Sequence, residues 1–203
     1  CAEVVDLVLV LDKSGSMIQN TWDHDQDDQT EEVTRWNTLH GVVSNLLDTF
    51  DDDFEFGAQL FPSKNATNDY NQNACLTNNP PEEGIAINNE SPILLAIPTA
   101  NSGNVRGGTP ARLGIQSAVD HLIEEAEDGV PEAIIFISDG AANCSPDAQN
   151  NTERFENYDQ GLHTLVADTW NDLEIPTYVI GIDIEDATSN DDPDGLPNST
   201  NPY

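Results

Sequence analysis

The feature that most constrains the fold is a nearly continuous apolar run close to the start of the chain, VVDLVLVL at residues 4–11. A short, dense run of β-branched and other apolar residues is typical of a strand buried on both faces, as in a parallel sheet. Similar runs follow at residues 133–137 and 177–182. The chain is therefore expected to bury a sheet between two other layers.

Segments with the apolar spacing of helices lie between these strands. Helices are predicted at residues 33–50, 109–126 and 155–173, and a further strand at residues 54–61. Residues 62–89 are interpreted as a long polar connection, and residues 93–97 as a short strand or turn. Strands that alternate with helices predict an α/β fold, here a Rossmann-like three-layer sandwich with a mostly parallel sheet flanked by helices.

Length and composition indicate one domain. The 203 residues suffice for one substantial core, and residues 1–203 are predicted to form a single domain. The core is expected at about residues 4–184, followed by a polar, acidic tail at residues 185–203. No apolar stretch approaches the roughly 20 residues that a transmembrane helix needs.

The net charge of −32 comes from 38 acidic and 6 basic side chains. Such a surface repels phosphates, which excludes nucleic acid and anionic lipid as partners. Two explanations of the charge remain open. The surface is either adapted to high salt, or some of its carboxylates are neutralised by bound cations.

Three polar loops follow predicted strands or precede a helix, at residues 12–17, 107–110 and 138–140. Ligands of open α/β sheets bind where such loops meet the carboxyl ends of the strands. The loops contribute two carboxylates and three hydroxyls, which are hard ligands suited to Mg²⁺, Mn²⁺ or Ca²⁺. The candidate ligands are Asp12, Ser14, Ser16, Thr109 and Asp139.

The motifs Asp-x-Ser-x-Ser, Gly-Thr-Pro and Asp-Gly, in this order and context, resemble the metal-ion-dependent adhesion site of von Willebrand factor A (vWA) domains. The resemblance covers about residues 4–184. It implies that the five candidates hold the metal, with the hydroxyls as direct ligands and the aspartates bound directly or through water. It also implies a binding module, not an enzyme, that captures an acidic group of a protein partner through the cation.

The resemblance leaves the cellular setting open. The favoured hypothesis is a bacterial adhesion module, extracellular or on the cell surface; the alternative is an intracellular vWA assembly subunit of a chelatase or ATPase-associated complex. An extracellular setting favours a disulfide between Cys75 and Cys144 over two free thiols. Cys1 is either the lipid-modified first residue of a lipoprotein or simply the residue at which the sequence starts.

The family normally adds a final helix and an edge strand after the strand that ends near residue 182. Both are missing from the pattern here, so either the chain is truncated or a complementing segment from elsewhere supplies them as a further partner. The tail instead carries oxygen donors at Asn190, Asp192, Asp194 and Asn198, with Gly195 between them. This spacing resembles a DxDxDG calcium loop, although Asn201 stands where the closing glutamate is needed.

Two other features are interpreted as having no special chemistry. Asp23, Asp25, Asp27 and Glu31 alternate as in a calcium loop, but Asp28 replaces the required glycine, which favours a solvated loop. The four histidines are scattered, and no nucleophile is paired with a base, so no catalytic residue is predicted.

Overall fold

A computed structural model describes residues 5–183, except residues 20, 28, 126 and 128. Cys1 and the predicted calcium loop of Asn190, Asp192, Asp194 and Asn198 lie outside the described residues. None of the helices within the described ranges is both long enough and apolar enough to cross a membrane.

Short strands and helices alternate along the chain. The strands are β1 (Asp6–Asp12), β2 (Thr21–Trp22), β3 (Val33–Thr34), β4 (Glu55–Phe61), β5 (Glu83–Ala86), β6 (Glu132–Ser138) and β7 (Thr177–Gly181). The helices are α1 (Ser16–Gln19), α2 (Arg35–Phe50), α3 (Glu90–Ala96), α4 (Ala111–Glu125), α5 (Asn151–Glu156) and α6 (Gly161–Leu173).

The main sheet has five strands in the order β5-β4-β1-β6-β7. β1 pairs in parallel with β4 and β6, β6 pairs in parallel with β7, and β5 pairs antiparallel with β4. All seven residues of β1 are buried, as expected for a central strand covered on both faces. The predicted α/β class and the mostly parallel sheet are confirmed.

Successive residues of β1 enter two different cores, because side chains alternate between the faces of a strand. Leu7, Leu9 and Leu11 pack with α2 and α3, whereas Val8 and Val10 pack with α4 and α6. Helices therefore cover both faces of the sheet, which is the predicted three-layer arrangement.

The connection at residues 62–89 contains more structure than predicted. It includes β5 and a 3₁₀ turn at Gln72–Cys75. β5 is a short edge strand of half-buried and exposed residues, so it lacks the apolar alternation that identifies a strand in a sequence.

The prediction of a strand or turn at residues 93–97 was wrong, because Glu90–Ala96 form α3. The start of this helix is fixed by a distant residue: the carboxylate of Asp51 accepts hydrogen bonds from the N–H groups of Asn89 (2.7 Å) and Glu90 (2.9 Å). The prediction of a single helix at residues 155–173 was also wrong. This part of the chain forms two helices, α5 and α6, and the buried Asp159 lies in the turn between them.

β7 lies at one edge of the sheet, and no described strand pairs with its outer side. Three consecutive side chains of β7 are exposed, namely Tyr178, Val179 and Ile180. The expectation that a further segment complements this edge stays a prediction.

Candidate metal centre

The ends of β1 and β6 lie side by side, because these strands are parallel and Leu11 is opposite Ile137. Asp12 closes β1, and Asp139 follows β6 directly. Both are buried, with Asp12 inaccessible to solvent and Asp139 only 7% exposed. The topology thus brings together two carboxylates that are far apart in sequence.

A chain of hydrogen bonds connects the two aspartates through the serines. The N–H of Ser14 donates to Asp12 Oδ1 at 2.8 Å, and the hydroxyls of Ser14 and Ser16 are 2.9 Å apart. Ser16 Oγ in turn donates to Asp139 Oδ1 at 2.9 Å. Both hydroxyls therefore lie on one side of the turn, between the carboxylates.

The loop that carries Thr109 packs directly on the turn after β1. The N–H of Gly15 donates to the carbonyl of Gly107 at 3.0 Å. Gly107 has a φ of +108°, and a Cβ there would lie 2.7 Å from the carbonyl oxygen of Ala74, so the position requires glycine. The result is a shared cavity of about 500 Å³ whose lining includes three of the predicted ligands, Ser14, Ser16 and Thr109.

Lys13 holds these two loops together from within. Its side chain is fully buried, and Nζ donates to the carbonyls of Arg106 (2.9 Å) and Asn104 (3.4 Å). Burial and, to a lesser extent, the nearby Arg106 charge together lower the pKa of Lys13 to about 8. With its ammonium engaged by carbonyls of the Thr109 loop, Lys13 has a structural role.

The two carboxylates occupy an environment that disfavours their charge. Burial raises the pKa of Asp12 to about 7, and the neighbouring Asp139 charge raises it too. The hydrogen bonds that Asp12 accepts from Ser14 N–H and from Ser138 Oγ at 2.7 Å lower this pKa, but by less than burial raises it. Burial also raises the pKa of Asp139. Within the described ranges, Asp12 forms no ion pair with a basic side chain, and the nearby Lys13 ammonium donates its hydrogen bonds to carbonyls instead.

Among the described residues, Arg35 provides the cationic group that forms an ion pair with Asp139. Its Nη1 lies 3.1 Å from Asp139 Oδ2, and its Nε and Nη2 donate to Asp183 Oδ2 at 3.0 and 2.8 Å. Arg35 begins α2, and Asp183 follows β7. The guanidinium therefore connects the candidate metal centre to the end of the edge strand.

The residues present fit a hard divalent cation. Asp12 and Asp139 supply buried anionic oxygens, and the serine and threonine hydroxyls supply neutral ones. The described residues contain no cluster of three or more His, Cys, Asp or Glu side chains that could hold a metal, in keeping with a donor set rich in hydroxyls. A divalent cation between the loops would balance the charges of Asp12 and Asp139, and because the other ligands are neutral hydroxyls it would still accept a further oxygen ligand.

The predicted disulfide joins Cys75 to Cys144, with Cα atoms 5.6 Å apart. Each cysteine follows a residue that contacts the Thr109 loop. The carbonyl of Ala74 accepts from Gly108 N–H at 2.9 Å, while Asn143 accepts from Thr109 N–H at 2.7 Å and donates its own N–H to the Thr109 carbonyl at 3.1 Å. The disulfide is therefore part of the support of Thr109.

Sequence reasoning missed four polar residues of this region: Arg35, Ser138, Asn143 and Asp183. Arg35 is one of only six basic residues in a chain with 38 acidic ones, and this scarcity was the available signal. Ser138 stands beside Asp139 in a loop already singled out. Nothing local distinguishes Asn143 or Asp183, whose contacts depend on residues far away in the sequence.

The acidic loop at residues 23–31 forms local turns. Asp25 Oδ1 accepts from Asp27 N–H at 3.1 Å and from the Thr30 hydroxyl at 2.8 Å, and Asp27 Oδ1 accepts from Gln29 N–H at 3.0 Å. Asp23, Asp25, Asp27 and Glu31 are exposed. These side chains are far more solvated than Asp12 and Asp139.

No protein-family model matches the chain, and no curated protein matches it either. Solved structures do share its fold. The pilus adhesin SpaC from Lactobacillus rhamnosus GG matches over 91% of this chain and 25% of its own, with 20% identity and a TM-score of 0.62. Its open conformation matches over 91% of this chain and 24% of its own, with 18% identity and a TM-score of 0.59. The chain thus spans about a quarter of the length of SpaC.

Proposed function

We propose that this chain is a vWA-type binding module that holds one divalent cation, Mg²⁺ or alternatively Mn²⁺ or Ca²⁺, and uses it to capture a carboxylate of a protein partner. The observation that carries the proposal is that the five candidate ligands lie together at the carboxyl ends of the central strands β1 and β6. These ligands are Asp12, Ser14, Ser16, Thr109 and Asp139. Resemblance of the fold to a pilus adhesin supports an adhesive role at the bacterial cell surface.

The chemistry of the site supports capture of an anion. A divalent cation held by two buried carboxylates and neutral hydroxyls keeps an affinity for one more anionic oxygen. The cavity above Ser14, Ser16 and Thr109 gives such a group access to the cation. A partner's Asp or Glu side chain meets this need, and no bond in the partner has to be made or broken.

The disulfide between Cys75 and Cys144 favours an extracellular setting over the intracellular assembly subunit, because disulfides persist mainly outside the reducing cytosol. A segment that complements the exposed β7 edge remains part of the proposal.

Binding of a carboxylate can be tested without knowing the partner. We expect the Mn²⁺-loaded protein to lose metal-bound water when the peptide Ac-Gly-Gly-Asp-Gly-Gly-NH₂ is added, seen as slower relaxation of the water protons. The same peptide with Asn in place of Asp should have no effect. The Ser14→Ala variant should bind Mn²⁺ at least about 10-fold more weakly, because it lacks one ligand.

Ser44→Ala is the matched control. Ser44 lies in the second half of α2, so this substitution also removes a serine hydroxyl, but one outside the three loops. Its Mn²⁺ affinity should equal that of the wild-type protein. Equal Mn²⁺ binding by the Ser14→Ala and wild-type proteins, or equal effects of the Asp and Asn peptides, would contradict the proposed function.

The sequence of the tail supports a second, weaker Ca²⁺ site at Asn190, Asp192, Asp194 and Asn198, with an affinity of roughly 10⁻⁴ to 10⁻³ M. Millimolar Ca²⁺ should then raise the melting temperature of Asp12→Ala more than that of the triple variant Asp12→Ala, Asp192→Ala, Asp194→Ala. Both variants lack the first site, so only the tail differs. An equal rise in the two would show that the tail carboxylates are merely solvated.

A further inference from the structure

The cavity beside the candidate metal centre forms a groove whose far wall belongs to the connection after β4 and to α5. The lining of the groove includes Ser14 and Thr109 from the loops of the metal centre, and Asp69, Tyr70 and Phe155 from the far wall. A partner chain that places a carboxylate on the cation must lay its neighbouring residues along this groove. The wall therefore controls which neighbours of that carboxylate are accepted.

The wall is held in place by several contacts. The side chain of Asn68 accepts from Gly107 N–H at 3.0 Å, which ties the wall to the loop that carries Thr109. The disulfide ties Cys75, a few residues further on, to the loop after β6. Because the wall is fixed at both points, binding of a ligand does not carry the additional entropy cost of ordering the wall.

Tyr70 combines exposure with fixation. Its side chain is 55% exposed, yet its hydroxyl donates to Glu156 Oε1 at 2.6 Å and its carbonyl accepts from Asn151 Nδ2 at 2.6 Å. Its ring also packs on Phe155, with centroids 4.8 Å apart. An aromatic ring that is rigid and half open to solvent is typical of an anchor in a protein interface.

The charge of the wall indicates what this anchor accepts. Asp69 and Glu156 are exposed acidic residues beside the ring, and none of the described residues that line the groove is basic. A side chain with an apolar stem and a cationic head complements an aromatic face next to carboxylates. The net charge of −32 attracts a basic segment to the same surface.

We propose that the groove binds a Lys or Arg side chain that lies within a few residues of the metal-bound Asp or Glu in an extended segment of the partner protein. The face of the Tyr70 ring contacts the apolar stem and the charged head of this Lys or Arg side chain. Asp69 forms an ion pair with the same charged head. The proposal rests on the proposed function, since the cation at the candidate metal centre fixes the register of the partner segment.

The test compares two peptides on the Mn²⁺-loaded protein, Ac-Gly-Lys-Gly-Asp-Gly-Lys-Gly-NH₂ and the same peptide with Gln in place of both Lys residues. Lys on both sides of Asp allows either chain direction along the groove. We expect the Lys peptide to bind about 10-fold more tightly to the wild-type protein. This ratio should fall to about 2-fold or less in Tyr70→Leu and in Asp69→Asn.

Two variants control for ring chemistry and for overall charge. Tyr70→Phe keeps the ring and should keep most of the ratio. Asp48→Asn removes one negative charge, as Asp69→Asn does, but near the end of α2, at the amino-terminal end of the strands and away from the groove. It should leave the ratio unchanged.

The outcomes separate the two proposals. A wild-type ratio near one, or a wild-type ratio retained in both Tyr70→Leu and Asp69→Asn, would overturn the Lys or Arg subsite while the Gln peptide still binds. A ratio lowered equally by Asp48→Asn would assign the effect to overall charge and overturn it as well. Failure of both peptides to bind would contradict the proposed function, and the subsite with it.

Discussion

The Asp12→Asn variant should lose Mn²⁺ binding by at least about 100-fold, yet in EDTA at pH 8 it should be more stable than the wild-type protein. Both effects come from the same feature. Asp12 is inaccessible to solvent and forms no ion pair with a basic side chain among the described residues, so its charge destabilises the metal-free fold. Asn keeps the acceptor for Ser14 N–H and can donate to Ser138 Oγ.

The size of the stability effect depends on pH. Because the folded-state pKa of Asp12 is raised from its ordinary value of 3.8 to about 7, the unfolded state releases this proton first as the pH rises. The metal-free wild-type protein therefore loses stability between about pH 4 and pH 7, on the order of 4 kcal/mol, and this loss is complete only above pH 7. At pH 4 the two proteins should differ little in stability.

Urea unfolding in EDTA at pH 4 and pH 8 measures the stability difference, and electron paramagnetic resonance of free Mn²⁺ measures the affinity. Asp51→Asn is the matched control, because the Asp51 carboxylate instead caps α3 through Asn89 and Glu90 N–H groups. That variant should lose stability and keep its Mn²⁺ affinity. A less stable Asp12→Asn protein at pH 8 would show that ionised Asp12 stabilises the metal-free fold.

Removal of the disulfide by Cys75→Ala together with Cys144→Ala should lower the free energy of unfolding by about 2–5 kcal/mol. The bond closes a sequence separation of 69 residues, so its loss increases the freedom of the unfolded chain. We also expect Mn²⁺ affinity to fall about 10-fold, because Gly108 and Thr109 are held by the residues that precede the two cysteines.

The affinity is measured at a temperature where near-ultraviolet circular dichroism shows both proteins to be folded, so that global unfolding does not contribute. Thr109→Ser keeps the hydroxyl and the disulfide and should bind Mn²⁺ as the wild-type protein does. A large loss of stability with unchanged Mn²⁺ affinity would show that the Thr109 loop keeps its position without the bond.

Elements with strong local patterns were predictable, and those with distant causes were not. β1 and β6 are dense apolar runs, and α2 and α4 repeat their apolar residues at helical spacing, so each identifies itself within its own sequence. The apolar residues 93–97 fit a strand or a helix equally well, and a carboxylate from Asp51 decides in favour of the helix. The break before α6 likewise involves Asp159, which accepts from distant Arg112 at 3.3 Å.

By itself, the sequence determined the α/β class, the three loops and the five candidate ligands, because apolar periodicity and short loop motifs are local properties. The tertiary structure decided how those ligands are supported and how costly their charges are. Arg35 meets Asp139 only because α2 packs across the sheet, and Asn143 contacts Thr109 in a loop that the disulfide joins to the distant connection after β4. Burial, which raises the pKa of Asp12, exists only once both faces of β1 are covered.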